Sequence, residues 1–191
     1  MDLVPTPSQT VGPFFHFCLT NEKCCVRSIA GPKVSGERVL LTVRVLDGNG
    51  EAVPDAMIEI WQANSVGKYN HPDDGQAKAV EPGFLGFGRL GTAENGMCEF
   101  ETVKPGRVPG TSKIAQAPHL NVAVFGRGML KQLYTRIYFA GDAANLEDPV
   151  LSLVPPDRRA SLMALPDTAR PGGWHFDVRL QGEGETVFFD V

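Results

Sequence analysis

The sequence predicts an all-β protein, a β-sandwich with an extended N-terminal arm, long loops and one short helix. Three observations predict it. Runs rich in β-branched and aromatic residues recur along the chain, each run is bounded by Gly, Pro or Asp, and helical spacing of apolar residues is almost absent. The 191 residues, 42% of them hydrophobic, suffice for one core without disulfide or metal staples. The expectation is a single domain over residues 1–191, with 1–36 as the arm and 37–191 as the sandwich core.

The first strand is expected over residues 39–46, where Val39-Leu40-Leu41-Thr42-Val43-Arg44-Val45-Leu46 ends on the turn signal Asp47-Gly48-Asn49-Gly50. Residues 56–61 alternate in the same way and should pair with it across that turn. Further strands are expected over 97–102, 120–125, 133–139, 174–180 and 185–190. The helix is placed at 157–165, with Asp157 as N-cap after Pro155-Pro156 and Pro166 as its stop. Trp61 and Trp174 read as core anchors of facing strands.

Two long irregular stretches remain, about residues 1–36 and 62–95, and segments of such length are usually functional or docked on a partner. In the first, Pro and Gly fix the backbone around Phe14, Phe15 and Phe17, which suits an arm pressed against another surface.

A net charge of -4 offers no electrostatic case for nucleic acid or anionic membrane. The first residues lack a basic start followed by an apolar core, and no apolar run approaches bilayer length, so a cytoplasmic location is expected. Cys18, Cys24, Cys25 and Cys98 show no metal or redox spacing and read as reduced thiols without a chemical role. His16, His71 and His175 have no mutual spacing that would make a site.

The run Ala117-Pro118-His119-Leu120-Asn121-Val122 reads as a strand on which residues 119 and 121 share a face. Two imidazoles at that spacing could hold one ion, whereas His-Leu-Asn offers one. From the residues alone, His119 reads as a hydrogen-bonded core histidine and Tyr69 as a packed aromatic.

Several motifs, in order, resemble the intradiol ring-cleavage dioxygenases over nearly the whole length. They are Thr6-Pro7-Ser8-Gln9-Thr10-Val11-Gly12-Pro13, then Ile58-Glu59-Ile60-Trp61-Gln62-Ala63-Asn64 with Gly67-Lys68-Tyr69, then Thr102-Val103-Lys104-Pro105-Gly106. Ala117-Pro118-His119 and the ending Phe176-Asp177-Val178-Arg179-Leu180-Gln181-Gly182 follow. The resemblance implies a ferric iron held by two Tyr and two His in catalytic chains. Here Tyr69 and His119 match the first of each, while Val108 and Asn121 stand in the places of the second. The arginine expected three residues before the first histidine is Gln116.

Fe(III) favours anionic oxygen donors, and Val108 and Asn121 supply none, so the four positions read as a vestigial site that holds no metal. The resemblance then implies a non-iron-binding alpha subunit of a hetero-oligomer. The non-haem Fe(III) would sit in a beta subunit, and the complex would act on a small aromatic acid, 3,4-dihydroxybenzoate, and O2. It further implies that Thr10, Gly12, Pro13 and Arg127 of this chain line the substrate cavity between the two chains, with no catalytic residue in this chain alone. Phe14 stands where Tyr often follows Gly-Pro. Two alternatives stay open: a self-sufficient iron dioxygenase recruiting Tyr134 or Tyr138, and a β-sandwich binding module without enzymology.

Overall fold

The structure is a computed structural model that describes residues 11–12, 14–110 and 114–190. Eight strands dominate it: β1 (Arg38–Leu46), β2 (Met57–Gln62), β3 (Phe87–Gly91), β4 (Met97–Val103), β5 (His119–Phe125), β6 (Leu133–Phe139), β7 (Met163–Asp167) and β8 (Gly173–Arg179). Their order is β3-β2-β5-β6-β7-β8-β1-β4. Two four-stranded layers are thus hinged at β7, which pairs parallel with β6 at Tyr138 and Phe139 and antiparallel with β8.

The inward residues of both layers form one core. Leu41, Val43 and Val45 of β1 and Phe176 and Val178 of β8 meet Ile58 and Ile60 of β2, Leu120, Val122 and Val124 of β5, and Ile137 and Phe139 of β6. The period-two burial of β1 and β5 is the alternation seen in the sequence, one face to the core and one outward. A polar tie crosses the layers. Buried Thr102 Oγ1 donates to Gln62 Oε1 at 2.7 Å, and Gln62 Nε2 donates to the Val103 carbonyl at 2.9 Å.

The edge strands β3 and β4 are closed by residues 26–30, which bridge to Arg89, Glu101 and Phe84. This segment covers backbone groups that an open sheet edge would leave free. Ile29, Ala30 and Val34 are buried in the core, so the part of the arm nearest the sandwich is built into it. Further out, Phe15–Leu19 forms one short helix, α1, in place of a wholly extended run.

The expected hairpin between β1 and β2 does not form. β1 pairs with β4 and β8, while β2 pairs with β3 and β5 in the other layer. The turn signal itself is real: Asp47 Oδ1 accepts from Asn49 N and Glu51 N, and Val53 N returns to the Val45 carbonyl. Pairing then stops because Pro54 has no N–H and Asp55, at φ 57°, swings the chain to the opposite layer.

The helix expected over 157–165 is a 3-10 turn, Arg159–Leu162, running directly into β7, and Asp157 is not its cap. A nine-residue helix is marginal by itself, and the alternating burial of Leu162 and Ala164 is spent on strand pairing with β6 and β8. Residues 185–190 form only one bridge, Tyr134 with Phe189. β3 escapes a propensity reading because two of its five residues are glycine. A Cβ at Gly88 would lie 2.8 Å from Ile29 Cδ1 and 3.0 Å from Phe100 Cδ1, so the glycine lets the layers close. Trp174 packs edge-on to core Phe139 at 5.0 Å, as expected, but Trp61 faces outward into a cleft.

Candidate functional site

Tyr69 is delivered by the β2–β3 loop, whose shape is set by Asn64. Asn64 Oδ1 accepts from Lys68 N at 2.9 Å and its carbonyl accepts from Gly106 N at 2.9 Å. Gly67, at φ +79°, passes so close to the Arg107 carbonyl that a Cβ would collide with it. Lys68 Nζ lies 3.2 Å from Asp74 Oδ1, and Asp74 Oδ2 accepts from Tyr69 N at 2.8 Å. Burial works against the Asp74 charge, but the N–H groups of Gln76 and Tyr69 and the Lys68 ammonium hold its carboxyl down at about 2.

The Tyr69 ring stacks on Trp61 at 6.1 Å with 7° between planes, and its hydroxyl accepts from Asn121 Nδ2 at 3.3 Å. Burial raises the Tyr69 pKa. Asn121 lies between Trp61 of β2 and Arg136 of β6 in the sheet register, so the three share one outward face. Val108 is buried and bridges to Gln116, its carbonyl accepting from Gln116 N at 2.8 Å.

His119 is 3% exposed. Its Nδ1 is 2.8 Å from the Ala117 carbonyl, which has no proton to give, so Nδ1 carries the hydrogen and Nε2 keeps a lone pair. Burial, with the Arg136 cation nearby, pushes its pKa down to about 4, so the ring is neutral near pH 7. Tyr138 packs beside it at 5.8 Å, and the Tyr138 hydroxyl donates to Asp148 Oδ1 at 3.1 Å. Burial raises the Tyr138 pKa beyond the normal phenol range.

Tyr69, Val108 and His119 line one cavity of about 450 Å³, and Asn121 reaches it through Tyr69. The structure therefore brings three of these positions to one cavity and sets Asn121 against the first of them. It also shows why they do not fit a ferric ion. Val108 offers no donor atom, the Asn121 amide is spent on Tyr69, and the Arg136 guanidinium shares the cavity. Among the described residues no group of three or more His, Cys, Asp or Glu is placed to hold a metal.

Of the residues expected to line a shared cavity, Gly12 and Arg127 do not line this one. Thr10 and Pro13 fall outside the described residues. The Gly12 carbonyl accepts from Phe15 N at 3.1 Å at the start of α1. Arg127 lies two residues past the end of β5 opposite His119, and β5 itself spans about 20 Å. Its Nη2 pairs with Asp55 Oδ2 at 2.9 Å, with 57% of its side chain exposed. The arm rejoins the sandwich at that same end. Thr20 packs against Gly91, which registers with Met57 and through it with Phe125.

Arg136 went unmarked in the sequence, and Trp61 was expected in the core. Both sit at outward positions of period-two strands, but their place beside Asn121 depends on which strands pair. His71 adds an edge contact to Trp61 at 6.1 Å. The four cysteines are free thiols, and burial pushes the Cys98 thiol up to about 12. Among the described residues no helix is long and apolar enough to cross a membrane.

Residues 10–182 match a family model described as "Dioxygenase". The chain is 46% identical over 201 residues to the protocatechuate 3,4-dioxygenase alpha chain of Burkholderia cepacia, covering 99% of this chain and 98% of that one. It is 35% identical to the protocatechuate 3,4-dioxygenase beta chain of the same organism, over 94% of this chain and 77% of that one. In three dimensions it resembles 3-chlorocatechol 1,2-dioxygenase from Rhodococcus opacus 1CP with a TM-score of 0.64 at 18% identity, over 94% and 68% of the two chains, which is a likeness of fold. The family model over most of the chain and these relatives agree: the chain belongs to the intradiol ring-cleavage dioxygenase family.

Proposed function

We propose that the chain is the alpha subunit of a protocatechuate 3,4-dioxygenase. It pairs with a similar beta chain that holds non-haem Fe(III). The complex cleaves 3,4-dihydroxybenzoate between its hydroxyl-bearing carbons, both atoms of O2 entering 3-carboxy-cis,cis-muconate, in cytoplasmic aromatic catabolism. The observation that carries this reading is the loss of two donor positions, Val108 and Asn121, from a pocket that keeps Tyr69 and His119, in a chain so similar to an alpha chain along its whole length.

In this reading residues 1–191 act as one domain whose arm and Arg127 end of the sheet face the partner. Thr10, Gly12, Pro13 and Arg127 line the cavity that the partner's iron serves. Arg127 brings a fixed cation to attract an anionic aromatic acid, tempered by its pairing with Asp55. The chain's own contribution is to shape the cavity and exclude water from it.

A self-sufficient iron enzyme is disfavoured by the tyrosines it would need. The Tyr138 hydroxyl is held by Asp148 inside the protein, and Tyr134 lies at an exposed position bonded from Gln132. A binding module without enzymology leaves the likeness to both alpha and beta chains unused.

Metal analysis and oxygen uptake on protocatechuate test the proposal. The chain purified alone should hold no stoichiometric iron and consume no oxygen, and co-expression with its beta partner should restore both. One iron per chain with turnover in the isolated chain would overturn it.

A further inference from the structure

We infer that the cavity bounded by Trp61, Tyr69, His119 and Arg136 is a metal-free binding site for a small hydroxylated aromatic carboxylate. The inference goes beyond the subunit assignment and depends on it only for the preparation in which it is tested.

The cavity supplies three complementary elements. The first is an unneutralised cation. Arg136 Nη1 donates to Gln116 Oε1 at 2.7 Å and reaches the Tyr138 hydroxyl at 3.4 Å, both uncharged partners. Among the described residues no carboxylate lies within ion-pair distance of it, whereas most other arginines on the sandwich, including Arg27, Arg44, Arg89 and Arg170, are paired. A half-buried guanidinium with donors to spare is a fork for a carboxylate.

The second element is an acceptor with no hydrogen-bond donor among the described residues. The Ala117 carbonyl fixes the His119 tautomer, so the Nε2 lone pair is left for a hydroxyl arriving from the cavity. The third is an aromatic wall, with Trp61 stacked on Tyr69 and met edge-on by His71. Carboxylates at the rim do not cancel the cation: Asp74 is held by Lys68, and Asp73 stands 3.6 Å from His71. A volume of about 450 Å³ accommodates one substituted benzene ring. A planar ring with a carboxylate and a hydroxyl satisfies all three elements together, whereas a phosphate leaves the aromatic wall idle and a neutral phenol leaves the guanidinium unmet.

The probe is 3-fluoro-4-hydroxybenzoate, followed by fluorine NMR in the alpha–beta complex. Ligand held beside the partner's iron is broadened by the paramagnetic ion, whereas ligand in this cavity should give a narrow bound signal that saturates at one per alpha chain. Arg136→Gln should weaken that binding at least tenfold, and Arg136→Lys should weaken it less. In the wild-type complex 2-fluorophenol, the same ring without its carboxylate, should bind at least tenfold more weakly than the acid, a comparison that needs no variant to fold. Absence of a narrow bound signal, or equal binding of the phenol and the acid, overturns the inference. Oxygen uptake on protocatechuate by the same preparation reports on the subunit assignment separately.

Discussion

Arg136 Nη1 and Gln116 Oε1 are 2.7 Å apart, joining the sixth strand to the segment that leads into the fifth. In the family pattern the positive charge belongs three residues before the first histidine, where this chain has Gln116. The cation has not vanished from the pocket but comes from Arg136, across the register from Asn121. A guanidinium charge in this cavity, which adds to burial in keeping His119 neutral, opposes binding of a second cation.

Restoring the donors therefore should restore iron only partly. Val108→Tyr with Asn121→His completes two Tyr and two His around Tyr69 and His119, which already line one cavity. Val108 is buried, so the larger ring should cost about 1–3 kcal/mol of stability. The expected outcome is a weak tyrosinate-to-iron charge-transfer band with little activity, read by visible absorption after reconstitution with Fe(III). No band in a folded double variant would mean that the four positions do not converge on one ion.

Arg127→Ala in the alpha–beta complex should raise KM for protocatechuate about fivefold, the size of a ~1 kcal/mol contact by a partly exposed charge, and raise it less for catechol, which lacks the carboxylate. Added salt should narrow the gap between wild type and variant. Steady-state oxygen uptake on the two substrates decides it, and equal effects on both would assign Arg127 a packing role through Asp55.

His119 gives a specific acid sensitivity. Its folded pKa is depressed to about 4 from 6.5. The unfolded chain therefore takes up the proton first as pH falls, and stability present above pH 6.5 is lost on the way to pH 4. A shift of that size is worth about 3 kcal/mol. His119→Asn keeps a donor for the Ala117 carbonyl but does not titrate. Thermal melts of the complex between pH 7 and 4.5 should show a shallower loss of Tm for the variant, and parallel curves would show that another group governs the acid limb.

Gly88→Ala tests the closure of the two layers. The added methyl would press on Ile29 and Phe100, both fully buried, and should lower stability by about 1–3 kcal/mol. Differential scanning calorimetry of the complex measures it, and an unchanged melting temperature would show that the core can shift to admit a methyl there.

What the sequence by itself determined is the alternation that makes the strands and the absence of an anionic donor at Val108 and Asn121. Period-two patterning marked β1, β2, β4, β5, β6 and β8 because each buries one face. His119 and Asn121 had to share a face for the same reason. Pairing was beyond its reach. Asp47 to Gly50 does turn the chain, but Pro54 and Asp55 decide that β2 joins the other layer, and only packing against Ile29 and Phe100 explains a strand at Gly88. The same limit hid Arg136 and put Trp61 in the core instead of the cleft. Each is an outward residue on an ordinary strand, and it becomes part of a site only when β2, β5 and β6 lie side by side, because cross-strand neighbours are set by register, which no single segment encodes.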